Sequence, residues 1–243
     1  MGQHSTKPVL ILGSAPHAIE AAYWDRSHFS AIVAINNAWR IRPDWDYLIY
    51  PEDFPGDRRP DTVRDDQTLV EAAQFVPAIN RYGGFIYAGG TMAFTAGYWV
   101  LAALRPSRIV FFGCDMLYPA RGRTHFYGHG SADPLREDPT LRSLEAKSAR
   151  LMAHAAQQGC ACMRISPGES RLVFPTAQLG DVACTVTRSV HVDRDRVRAA
   201  ETRERTLGYF VESGRYWELG KPFAETQLDA IDRLWLQAVR QAA

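Results

Sequence analysis

The side chains best suited to chemistry crowd into one short run, Arg121-Gly122-Arg123-Thr124-His125-Phe126-Tyr127-Gly128-His129-Gly130. His125 and His129 stand four positions apart, as two metal ligands on one helix face would. The three glycines argue against a continuous helix there, and so against a zinc-type pair. A loop histidine suits acid–base work better, because imidazole titrates near neutral pH and can take the proton of an attacking hydroxyl. On the residues alone, a hydrogen-bonded surface histidine is the commoner outcome. Arg121 and Arg123 in the same run can screen a carboxylate or a phosphate.

Other candidates sit where apolar runs stop. Gly13-Ser14-Ala15-Pro16 closes Val9–Leu12, Asn36-Asn37 closes 29–35, Pro51-Glu52-Asp53 closes 47–50, Gly113-Cys114-Asp115 closes 108–112, and Ser166-Pro167-Gly168-Glu169 closes 160–165. Unbroken apolar runs of this length read as strands buried on both faces of a parallel sheet. Ligands of such sheets bind beyond the carboxyl ends of the strands, where loops converge and helix N-termini present N–H groups to anions. A Gly-Ser-Ala-Pro turn is weak evidence by itself, since a strand–helix junction needs small residues for steric reasons. It also lacks the later glycines of the dinucleotide fingerprint, which disfavours a nicotinamide dehydrogenase. Asn36 and Asn37 can contact a ligand or cap a turn, one in each role. Thr91, after Gly89-Gly90, can bind phosphate or cap the helix that follows.

The elements that must position these groups follow from periodicity. A helix is expected after the first turn, a loop over 54–68, a short helix over 69–76 and a short strand at Phe85-Ile86-Tyr87. Apolar spacing predicts a helix from Thr91 to Leu104, stopped by Arg105-Pro106, and another over 140–158, capped by Gly159. The Gly-, Arg- and His-rich stretch over 117–139 reads as a lid. The fold class is α/β: a Rossmann-like, mostly parallel sheet with helices on both faces, a lid-like excursion and a helical C-terminal segment. Residues 1–175 form the nucleotide-binding domain and 176–243 an extension packed on it. In that extension 182–192 is β-like and the charged sequence from Arg194 is helical, anchored by Trp217 and Trp235.

Composition narrows the function classes. Across 243 residues, 28 basic side chains balance 27 acidic ones, so no global field marks a nucleic-acid binder. The one basic stretch, Arg188, His191, Arg194, Arg196 and Arg198, is interleaved with Asp193, Asp195 and Glu201 and reads as a solvated helix face. Cys114, Cys160, Cys162 and Cys184 are too few and too irregular for a disulfide scaffold or a metal site, so no metal is assigned and a reducing, cytoplasmic compartment is expected. No run approaches a membrane span, which leaves only peripheral membrane contact. Homo-oligomerisation is left open.

Read in order, Ile11–Pro16, Ile35-Asn36-Asn37, Gly89-Gly90-Thr91, 109–115 with Tyr118, and His125-Phe126-Tyr127-Gly128-His129 resemble the bacterial sialyltransferases of glycosyltransferase family 42, and in part the Rossmann-like domains of the MptE and motility-associated-factor type. The resemblance spans roughly residues 9–175 and lies in the order of the pieces. It implies that Gly13, Ser14, Pro16 and Asn36 hold the cytidine monophosphate of a donor, with Thr91 beside it and Asp115, Ser166 and Ser170 contributing further donor contacts. Tyr118, with Tyr127 as second candidate, would help the phosphate leave, and His129 would be the general base. His125, Arg121 and Arg123 would serve the acceptor or lid. The expected function is an inverting, metal-independent glycosyl transfer from a nucleotide sugar, a CMP-sugar above all, to a carbohydrate or glycolipid acceptor, with no cofactor. The alternatives are a Mg²⁺-dependent diphosphokinase of the hydroxymethylpterin type, using Asp53 and Asp115, and a non-catalytic nucleotide-binding module.

Overall fold

The computed structural model describes residues 7–119, 121–129, 138–166, 168–182, 190–220 and 222–241. Gly130, Pro167, Cys184 and Arg188 lie outside them, as do 130–137 of the expected lid and 183–189 of the β-like tail segment.

The first sheet contains β1 (Val9–Leu12), β2 (Ala31–Ile35), β3 (Tyr47–Ile49), β4 (Thr68–Val70), β5 (Arg108–Phe112) and β6 (Ala161–Ile165). All are parallel, in the order β4-β3-β2-β1-β5-β6. The chain winds outward from β1 to β4, then crosses to the other side of β1 to lay down β5 and β6. The direction of winding therefore reverses between β1 and β5, where the connecting loops part and leave a crevice.

The period of two explains why these strands carry unbroken apolar runs. In β1, Val9 and Ile11 face one side and Leu10 and Leu12 the other, and all four are buried. The first face is covered by α1 (Ala72–Asn80), α3 (Met92–Ala103) and α4 (Leu144–Gln157). The second is covered by 3₁₀ segments at Pro16–Tyr23 and Asn36–Arg40 and by the single turn α5 (Leu179–Val182). The α/β class with both faces covered is thus present, with mostly 3₁₀ winding on the second face. Cys114, Cys160 and Cys162 are buried free thiols.

Two local expectations need correction. Phe85-Ile86-Tyr87 is not a strand but belongs to α2 (Phe85–Ala88). A four-residue apolar run between glycines carries no decisive period, and Ile86 and Tyr87 here bury against the C-terminal helices. The helix expected over 69–76 begins only at Ala72, and Thr68–Val70 adds an edge strand. The start is set by Glu71 and Gln74, whose side chains form a reciprocal capping box.

The C-terminal segment contains β7 (Val190–Val192), α6 (Arg194–Leu207), α7 (Glu225–Ala238) and β8 (Val239–Gln241), with β7 and β8 antiparallel. Asp193 caps α6, accepting from the Asp195 and Arg196 amides at 3.1 Å, and Arg198 pairs with Asp195 at 2.6 Å. The charged stretch is a solvated face. Leu228, Ile231, Trp235 and Ala238 bury the helical stripe of α7. Trp235 is the anchor that was expected; Trp217 is not, being 66% exposed.

What joins this segment to the sheet is a buried ion pair. Arg150 of α4 donates from Nε and Nη2 to both carboxylate oxygens of Glu204 in α6, at 2.9 and 2.8 Å. It also donates to the Tyr98 hydroxyl of α3 at 2.8 Å and to the Tyr82 carbonyl. Trp235 Nε1 completes the set by donating to Glu204 Oε1 at 2.8 Å. Burial opposes the Arg150 charge, but Glu204 and Tyr98 outweigh it and hold its pKa above the ordinary value. A second buried pair, Lys147 Nζ to Asp232 Oδ1 at 2.9 Å, ties α4 to α7.

Removing one partner of such a pair strands a buried charge. Glu204→Ala should therefore lower unfolding stability by about 3–5 kcal/mol, whereas the paired change Arg150→Met with Glu204→Leu should recover most of that loss. Urea unfolding of the three proteins checks both expectations.

Candidate functional site

A cavity of ≈ 520 Å³ opens at the carboxyl ends of β1, β2, β3 and β5, beside the crevice where the winding reverses. From the sheet side it is lined by Gly13 and Ser14 after β1, Asn36 after β2, Glu52 and Asp53 after β3, and Cys114 and Met116 after β5. The α3 N-terminus contributes Thr91, Met92 and Ala93. Tyr118 and His125 reach it from the excursion after β5.

Gly13 is required by packing. A Cβ there would stand 2.3 Å from the Gly113 carbonyl oxygen and 2.7 Å from Cys114 Sγ. The turn also spends its amides on β5: Gly13 N–H donates to the Phe112 carbonyl at 2.8 Å and Ala15 N–H to the Gly113 carbonyl at 3.0 Å. What the turn offers the cavity is the Ser14 side chain. Ser14 Oγ lies 2.8 Å from His125 Nδ1. The same turn holds the histidine loop, because Phe126 N–H donates to the Ser14 carbonyl at 2.9 Å and His125 and Gly128 close a tight turn through reciprocal backbone bonds. Tyr127 stacks flat on the His125 ring, with centroids 4.9 Å apart and planes 2° from parallel.

Asn36 has a φ of +50°, a left-handed conformation that asparagine tolerates, and its buried Oδ1 has no hydrogen-bond partner among the described residues. A buried acceptor left without a donor at a cavity wall is a contact waiting for a ligand N–H or O–H. Asn37 is buried away from the cavity lining, so the two asparagines do take different places, although neither side chain caps the turn. Thr91 does cap: its hydroxyl accepts from Phe94 N–H at 3.3 Å. Met92 and Ala93 in the same first turn line the cavity, so the positive end of the α3 dipole faces it.

Several expected site residues stand elsewhere. His129, Arg121 and Arg123 are exposed and outside the cavity lining, as is Pro16. Asp115 is buried beside the cavity but turned to His17, whose Nε2 lies 3.2 Å from its Oδ2. Burial would raise its pKa, but the neighbouring His17, Ser166 and Ser170 outweigh that and hold the carboxyl below its ordinary value of 3.8. Ser166 and Ser170 lie outside the cavity lining: the Ser166 hydroxyl donates to the Gly168 carbonyl at 3.2 Å, and Ser170 Oγ accepts from Leu172 N–H at 3.2 Å. Burial pushes the Cys114 thiol pKa far up, which makes it a poor nucleophile. Among the described residues no group of three or more His, Cys, Asp or Glu side chains is arranged to hold a metal ion.

The wall that sequence reasoning missed comes from the C-terminal segment. Arg215, Tyr216 and Trp217 line the cavity opposite the sheet, next to Phe75, Val76 and Phe85. Gly214 seats this loop at a φ of +78°, so close to α2 that a Cβ would stand 2.9 Å from Phe85 Cε2. The Tyr216 hydroxyl holds the other side, donating to Asp138 Oδ2 at 2.5 Å. A Ser-Gly turn followed by Arg-Tyr-Trp inside an otherwise charged tail was the available signal.

Comparison with protein-family models, with curated proteins and with solved structures gives no match for this chain. No helix among the described residues is long and apolar enough to cross a membrane.

The Asp115 shift has a definite pH signature. A carboxyl whose folded pKa is depressed adds stability that is complete above its unfolded value and is lost as pH falls through the folded value. Asp115→Asn should therefore be less stable than the parent by about 1–3 kcal/mol at pH 7. That gap should close as the pH is taken below 3.8 toward the folded-state pKa. Denaturant melts from pH 7 to pH 3 measure it.

Proposed function

We propose that this chain is an inverting glycosyltransferase that uses a nucleotide-activated sugar, a CMP-sugar in the first instance, without a catalytic metal. The observation that carries the reading is the meeting of Ser14, Asn36, Thr91, Tyr118 and His125, expected from separate stretches of sequence, around one cavity at the switch point of the sheet. The order of motifs shared with family 42 sialyltransferases supports the choice of donor.

In this reading the base is His125 and not His129, because His125 is the histidine at the cavity wall. Ser14 Oγ, 2.8 Å from Nδ1, accepts from Nδ1–H and leaves Nε2 as the proton acceptor. The acceptor hydroxyl gives its proton to Nε2 while its oxygen bonds to the anomeric carbon. The bond from that carbon to the phosphate oxygen breaks on the opposite face, and its electron pair leaves with the nucleoside monophosphate. Tyr118 donates to the departing phosphate, Asn36 takes a donor from the nucleoside, and the α3 N-terminus offsets the developing negative charge.

Of the two carboxylates a Mg²⁺-dependent diphosphokinase would use, Asp53 lines the cavity and Asp115 is engaged with His17. Turnover with CMP-sialic acid, followed as release of CMP, tests the proposal. His125→Ala should slow turnover by about 10²–10⁴-fold. His129→Ala should retain it, and EDTA should leave the parent enzyme's rate unchanged. Loss of activity in His129→Ala with a normal rate in His125→Ala would reverse the base assignment; abolition by EDTA, restored by Mg²⁺, would overturn the metal-independent reading.

A further inference from the structure

The charges around the cavity are unevenly placed. Glu52 and Asp53 bring two carboxylates to its mouth after β3, and Arg215 is the one lysine or arginine among the described residues lining it. A ligand carrying phosphate or carboxylate meets repulsion at that mouth unless it engages Arg215. Arg121 and Arg123 stand outside the lining.

Arg215 is held in place by its neighbours and not by its own contacts. Gly214 packs on Phe85 on one side, and Tyr216 is buried with its hydroxyl on Asp138 on the other. The guanidinium itself lies 3.5 Å from Glu52 Oε2 and 3.8 Å from Glu218 Oε1, and all three side chains are at least half exposed. Charge-assisted hydrogen bonds close to about 2.7–2.9 Å, so both contacts are loose, and exposed pairs of this kind hold little energy. Five N–H donors in a fork that matches an oxyanion are thus engaged weakly on a backbone that is firmly seated.

We propose that Arg215 is the anion-recognising residue of the cavity, and that its contact with Glu52 is a latch: a phosphate or carboxylate oxygen of the ligand replaces Glu52 on the guanidinium. This gives the C-terminal segment a part in binding, and it rests on the reading of the cavity as a nucleotide-sugar site only for the choice of probe.

The test compares binding of CMP, UMP, AMP and GMP with that of the matching nucleosides, by calorimetry, on the parent protein, Arg215→Ala, Arg215→Lys, Glu52→Gln and the double variant Glu52→Gln with Arg215→Ala. Arg215 is 51% exposed in its side chain, and apo melting temperatures serve as the fold control. The parent should prefer a monophosphate to its nucleoside, and Arg215→Ala should erase about 10- to 100-fold of that preference, with Arg215→Lys between. Glu52→Gln should tighten monophosphate binding in both backgrounds by relieving repulsion, and by clearly more in the parent, where it also releases Arg215. A phosphate preference that survives in Arg215→Ala overturns the assignment while leaving the CMP-sugar reading intact. Arg215-dependent binding of AMP or GMP but not CMP upholds the assignment and removes the CMP donor. Equal tightening by Glu52→Gln in both backgrounds overturns the latch, and a parent that prefers no monophosphate over its nucleoside overturns the proposal.

Discussion

The Arg150–Glu204 pair is the constraint on which the rest depends. One guanidinium joins α4 to α6, meets the Tyr98 hydroxyl of α3 and the Tyr82 carbonyl before α2, and lies over the ring of Trp235 in α7 with a 5.3 Å separation. Its surroundings extend the same connection: Tyr87 donates to the Glu204 carbonyl at 2.8 Å and accepts from the Tyr209 amide at 3.2 Å. Burial pushes the pKa of Tyr87 and of Tyr98 up to about 12, so both stay neutral beside the charge, Tyr98 accepting from Arg150, and burial drives that of His154 well below its ordinary value. The price of burying the pair is offset by the four hydrogen bonds of Arg150 and the Trp235 bond to Glu204, which a looser geometry would not provide.

The consequence for the site is one of reach. Between α6 and α7 the chain makes the loop that carries Arg215, Tyr216 and Trp217. α6 is tied to α4 by Glu204 and α7 by Lys147–Asp232, and the loop between them packs Gly214 on Phe85 of α2 and lines the cavity at the open ends of the strands. The cavity is therefore built by two parts of the chain: a parallel sheet that supplies Ser14, Asn36 and the α3 N-terminus, and a helical appendix that supplies an aromatic and cationic wall. A sheet end alone would be a shallow surface with two carboxylates at its edge; the second wall makes it a cleft and brings Arg215 to it.

On the sheet side, the demands of packing and of chemistry meet in the same turn. Gly13 and Gly113 touch because β1 and β5 are neighbours at the point where the winding reverses, and that contact consumes the amides a phosphate loop would present. Chemistry is left to side chains. Ser14 reaches His125 because the turn at 125–128 hydrogen-bonds back to the Ser14 carbonyl, so the histidine is positioned by backbone pairing as well as by its own ring.

The sequence by itself determined the α/β class and most of the strands, because several short apolar runs bounded by turn residues and alternating with helical periodicity fit strands buried on both faces of a parallel sheet. It also nominated the strand ends that line the cavity, since topology brings every such end to one edge. It could not separate β4 from α1, although the Glu71-x-x-Gln74 cap marked the helix start, and it could not tell a four-residue apolar run in α2 from a strand. The sequence reading placed the general base at His129, whereas His125 is the histidine that lines the cavity, because four residues along a glycine-rich loop differ only in where the loop is pinned. Only the tertiary structure decided that Trp217 is wall and not anchor, and that Arg215 shares a cavity with Ser14. The physical reason is distance along the chain: about 200 residues separate Ser14 from Arg215. What brings them together is the packing of the C-terminal helices on α2 and α4 around a buried charge pair whose partners no local pattern connects.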